Sequence, residues 1–169
     1  GYQMRNIADG LNLPGVSPRA AVLISYLITS SIFGFLHLGN PNATLVSALN
    51  IALAGLMLGL GMALTGSLAI PIGLHITWNF FQGSIFGLPV SGGTPATALL
   101  AVEQTGPAFW TGGAFGPEGG MLGVLAIVLG LLLSWAYVRL TRGRAALHTD
   151  LAAYRPHTPD SPPAGMSHA

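Results

Sequence analysis

Two histidines and an asparagine stand where hydrocarbon is expected. His37 closes the apolar run "SSIFGFLHLGN", and thirty-eight residues later His75 and Asn79 lie in "GLHITWNFFQG". Imidazole can carry a proton near neutral pH, and a carboxamide beside a neutral imidazole can donate hydrogen bonds to a developing oxyanion. His75 and Asn79 are four residues apart, so on a helix they project from one face. Gln82 roughly continues that stripe, whereas Trp78 and Phe80 point toward lipid or neighbouring helices. These groups suit proton transfer and oxyanion stabilisation. A divalent metal such as zinc is weakly supported: catalytic zinc takes three protein ligands, and His37 and His75 are the two candidates. The chain has no cysteine. Its only glutamates, Glu103 and Glu118, fall in a loop, so no thiolate or strong base accompanies the histidines in the apolar runs.

Each group also has a plainer role. His37 could be an interfacial histidine bonded to the "GNPN" turn, and His75 and Asn79 could be hydrogen-bonding glue between helices. Asn50 reads as structural, and Asn40 and Asn42 beside Pro41 as turn residues. His148, His157 and His168 belong to the carboxy-terminal tail.

The elements that must position these residues are membrane helices. Charged residues are 7% of the chain, against roughly 25% in typical globular proteins, and mean hydropathy is +0.62. No Asp, Glu, Lys or Arg occurs from residue 20 to 102 or from 119 to 138. The expected fold is an all-α, polytopic membrane helix bundle of about four transmembrane helices, at 20–38, 44–64, 67–88 and 119–140. A Pro/Gly/Thr-rich loop, 89–118, separates the last two. Residues 1–140 form the membrane-embedded domain, and 141–169, polar and Pro-rich, read as a disordered cytoplasmic tail. The basic residues are Arg5, Arg19, Arg139, Arg142, Arg144 and Arg155, all in terminal segments. The positive-inside rule therefore puts both ends in the cytoplasm. The lipid bilayer is the one partner this composition specifies. A net charge of +1 without a basic patch argues against nucleic acid, and the lack of Lys beside abundant Ala, Gly, Pro and Arg suggests a prokaryotic plasma membrane. Small residues at four-residue spacing (Gly55, Gly59 and Ala63; Gly83 and Gly87; Gly119 and Gly123) predict tight helix packing.

Depth poses a difficulty. At about 1.5 Å per residue, His37 lies roughly 26 Å along its helix from the cytoplasmic side and His75 only about 12 Å. A shared site requires the intervening turn to dip or a helix to break, around a polar cavity.

At these residues the chain resembles the CPBP family (CAAX protease and bacteriocin-processing, or ABI) of intramembrane endopeptidases. Phe33 and His37 match its Phe-x-x-x-His motif, and His75 and Asn79 its His-x-x-x-Asn motif, with "TGSLAIPIGLHITWNF" similar to the usual approach. The resemblance covers residues 1–81. It implies a hydrolase cutting peptide or protein substrates of CAAX or leader/bacteriocin type. In that pattern His37 helps activate water or binds metal. His75 and Asn79 stabilise the oxyanion, His75 with a metal-ligand alternative, and Phe33 packs one turn below His37. The family's Glu-Glu-x-x-x-Arg motif is not in this sequence, which opens "GYQMRN" as though cut after that arginine; Arg5 is no substitute, as no Glu pair precedes it. The expectation is a carboxy-terminal part of a protease, inactive as written. A non-catalytic scaffold or bacteriocin-immunity protein on the same fold is the alternative.

Overall fold

The computed structural model describes residues 1–153. All regular elements among them are helical: α1 (Tyr2–Gly10), α2 (Pro18–Leu36), α3 (Leu45–Thr65), α4 (Ala69–Asn79), α5 (Ala108–Thr111) and α6 (Met121–Arg142), with short 3-10 turns between some of them. Three stretches are long and apolar enough to cross a membrane: Pro18–Gly39, Leu45–Thr65 and Met121–Arg142. They agree with three of the four expected spans to within about two residues.

The helix ends follow local chemistry. Ser17 caps α2 by accepting the Ala20 amide, and Pro18 occupies its first turn, where its missing N–H costs nothing. Thr44 and Ser47 form a reciprocal capping pair at the start of α3. Gly66 ends α3 in the left-handed region, at φ 70°.

The fourth expected span is different. Helix α4 is only 11 residues long and is continued by six residues of π-helix, Phe80–Ile85. The segment closes with Gly87 at φ 72°. The Gly87 and Leu88 amides donate to the Gly83 and Gln82 carbonyls, which satisfies the last carbonyls of the segment. The change of pitch after Asn79 also breaks the expected polar stripe. Gln82 is buried and donates to the Pro89 carbonyl (2.6 Å), anchoring the following loop rather than joining His75 and Asn79.

Helices α2 and α3 pack most closely, and glycine makes that possible. A Cβ on Gly34 would stand 2.5 Å from the Ala48 carbonyl oxygen and 2.6 Å from the Ala52 Cβ. Gly55 faces the Ser30 backbone and Gly59 the Tyr26 ring, and the Tyr26 hydroxyl donates to the Leu56 carbonyl. The stripe on α3 therefore serves helix packing, as its spacing suggests. Gly87 and Gly123 instead admit the backbone of loop residues Leu100 and Pro117.

Residues 147–152, expected to belong to a tail from residue 141, pack on the bundle. His148 donates its backbone N–H to the Ala63 carbonyl (2.8 Å), and the turn Thr149–Ala152 buries Leu151 and Ala152 against Met4, Ala8, Val22 and Met62. Apolar Leu147, Leu151 and Ala152 supply the burial that a disordered reading lacks. Residues 154–169, including His157 and His168, lie outside the described residues.

The His148 ring covers Gly66, and a Cβ there would overlap it. Gly66→Ala must expel that ring and hold a non-glycine residue at positive φ, which costs about 1–2 kcal/mol. A lowered unfolding midpoint in detergent is the expected result, and an unchanged one would contradict the His148 contact.

Candidate active site

The site is built from the last turn of α2, the second half of α4 and two loop residues. Phe33 and His37 are one turn apart on α2, their ring centroids 4.6 Å apart. The Phe33 ring also meets His75 edge-on, with centroids 5.9 Å apart. One phenyl ring thus contacts both imidazoles and brings the two histidines to one place in the bundle. His37 leaves α2 into the 3-10 turn His37–Gly39, and its Nδ1 lies 2.6 Å from the Phe33 carbonyl oxygen. A carbonyl only accepts, so Nδ1 carries the proton, and in the neutral ring Nε2 keeps the free lone pair.

His75 and Asn79 share a small cavity lined also by Phe33, Trp78, Ser91 and Glu118. Its volume is about 20 Å³, room for about one water molecule. Neither His75 nor Asn79 has a hydrogen-bond partner among the described residues, and both side chains are exposed at the edge of α4. A second, apolar cleft of about 270 Å³ runs from His75 along Phe33, Pro71, Ser30, Gly59 and Met4. His37 lines neither cavity and joins the site through Phe33.

Glu118 is the residue that sequence reasoning passed over. Placed in an outer loop by its position in the chain, it is only 5% exposed and reaches into the bundle from the turn Pro117–Gly119. Its Oε1 accepts the Trp78 indole N–H (3.0 Å), and its Oε2 accepts the Ser91 amide (2.5 Å) and hydroxyl (3.1 Å). Trp78 correspondingly faces this carboxylate and not lipid. The available signal was a lone carboxylate flanked by Gly116, Gly119 and Gly120 just before an apolar helix.

The donor set does not make a zinc centre by itself. His37 and His75 each contact the Phe33 ring, and no three His, Cys, Asp or Glu side chains converge among the described residues.

Comparison with known families bears on the same stretch. Residues 7–81 match the family described as Type II CAAX prenyl endopeptidase Rce1-like. This stretch is Rce1-like. It contains Phe33, His37, His75 and Asn79, and it agrees with the CPBP resemblance those residues carry. Its three long apolar helices mark the chain as an integral membrane protein, and the matched stretch is similar to that peptidase family. Searches among curated proteins and among solved structures gave no match.

Proposed function

We propose that the protein is an intramembrane endopeptidase that cuts CAAX-type, prenylated carboxy-terminal peptides, with His37, His75 and Asn79 as its catalytic residues. The observation that carries this reading is the pairing of His75 and Asn79, both without hydrogen-bond partners, at one cavity of single-water size inside an Rce1-like stretch. In the reaction, the scissile carbonyl oxygen rests on the His75 ring N–H and the Asn79 amide. These donors strengthen as the oxygen gains charge, which lowers the barrier. The free Nε2 of His37 takes a proton from the attacking water. In the family pattern a first-motif glutamate shares that task, a residue not among these 169. The 270 Å³ apolar cleft beside His75 supports a substrate with a hydrocarbon segment. No step here is assigned to a metal. The arginine distribution supports cytoplasmic termini.

The test uses the full-length gene product in proteoliposomes. Offered are a farnesylated CAAX peptide, the same peptide unprenylated, and a bacteriocin-type leader peptide. Cleavage of the farnesylated peptide, lost in a folded His37→Ala variant, is the expected result. Preference for the leader peptide would move the substrate class. Absence of any cleavage would favour a scaffold or immunity protein, and full activity in His37→Ala would remove His37 from the catalytic residues.

A further inference from the structure

The two halves of the candidate site come from segments about forty residues apart, and one hydrogen-bonded chain ties them. Asn40 immediately follows the His37–Gly39 turn, and its backbone N–H donates to the His37 carbonyl (3.1 Å). Its side chain donates to the Ser91 carbonyl (2.9 Å). Ser91, held at φ 47°, gives both its N–H and its hydroxyl to Glu118 Oε2. Glu118 Oε1 then takes the indole N–H of Trp78, which lies between His75 and Asn79 on α4. Gly92, next to Ser91, lies so close to the Pro41 carbonyl that no Cβ would fit. The loop is thus pressed onto the His37 turn at one end and onto α4 at the other.

We propose that Glu118 is a positioning residue that holds the His37 turn and the His75–Asn79 turn in register. This rests on the endopeptidase reading for its kinetic consequence, but not for its geometry. The chemistry favours a carboxylate at this point. Three donors converge on two oxygens, and only an acceptor-only group satisfies all of them. A glutamine of the same shape offers one oxygen and one NH2, so it must face either Trp78 or Ser91 donor to donor. Helix α4 docks on α3 through Ile70 and Pro71 at Gly61, and the Trp78 tether restrains its second half, where His75 and Asn79 sit.

The test uses the full-length gene product carrying Trp110→Phe and Trp135→Phe, which leaves Trp78 as the indole reporter of the described region. In Glu118→Gln, kcat should fall about 100-fold, the cost of a displacement near 1 Å, while KM stays within about threefold because the substrate cleft is untouched. Trp78 emission should shift with it. Glu118→Gln combined with Trp78→Phe should be no slower than the worse single variant, since both cut the same tether. A kcat that survives Glu118→Gln, or losses that multiply in the double variant, would overturn the proposal. If Glu118→Gln does not fold, Ser91→Ala removes one donor only and should give a smaller loss of kcat; unchanged kcat there would overturn it equally. If the parent protein cleaves nothing, the endopeptidase reading fails, and the tether is read from diethyl pyrocarbonate labelling of His37 and His75. Faster labelling in Glu118→Gln supports the tether, and an unchanged rate rejects it.

Discussion

Asn79→Ala is expected to lower kcat on a cleaved peptide by about 10²–10³-fold, the usual effect of deleting one oxyanion donor. KM should move little, because the donor acts on charge that develops after binding. Stability should also move little, since the Asn79 carboxamide holds no other group among the described residues. This combination separates the two roles open to an intramembrane asparagine. Interhelical glue contributes about 0.6 kcal/mol on average, so its loss would lower the unfolding midpoint slightly and leave turnover per folded molecule intact. Asn79→Asp sharpens the contrast. Its carboxylate accepts but does not donate, so it repels an oxyanion at the same place and should be at least as slow as the alanine variant. Activity near the parent level in either folded variant would remove Asn79 from the site.

Much of this arrangement is legible in the chain itself. Long uncharged apolar runs fix α2, α3 and α6 because a bilayer leaves backbone groups few alternatives to a helix. The four-residue spacing of His75 and Asn79 puts them on one face, and they do line one cavity. What stays hidden depends on contacts between distant segments. The π turn after Asn79 interrupts the 3.6-residue period, so Gln82 serves the loop at Pro89 and leaves the stripe. Glu118 enters the bundle because Gly92, Gly112 and Gly116 allow backbone approaches closed to other residues, and a glycine-rich loop carries no periodicity from which its path could be read. The contact of His75 with Phe33 follows from how α4 docks on α3, where Gly61 admits Ile70 and Pro71. Helix length alone places His37 and His75 at different depths. It does not reveal that one phenyl ring touches both.

Gly34→Ala should produce the largest stability loss of the methyl additions between α2 and α3. The new Cβ would meet the Ala48 carbonyl oxygen at 2.5 Å and the Ala52 amide nitrogen at 2.7 Å. Both are backbone atoms of α3, which cannot rotate away as a side-chain tip does. Relief requires α2 to move outward, and overpacking of this kind costs about 1–3 kcal/mol. Two neighbours calibrate the effect. Gly55→Ala meets the Ser30 backbone at 3.1 Å and should lose less. Gly73→Ala on α4 has nothing within 4 Å, so the better helix propensity of alanine, up to about 1 kcal/mol in water, should leave it neutral or slightly stabilised. The expected order of unfolding midpoints is Gly73→Ala, then Gly55→Ala, then Gly34→Ala. Gly34 also lies between Phe33 and His37 on α2, so an outward shift carries both rings away from His75. Turnover in Gly34→Ala should therefore fall further than the folded fraction does. A Gly34→Ala protein as stable and as active as the parent would mean that α2 and α3 do not pack at this distance.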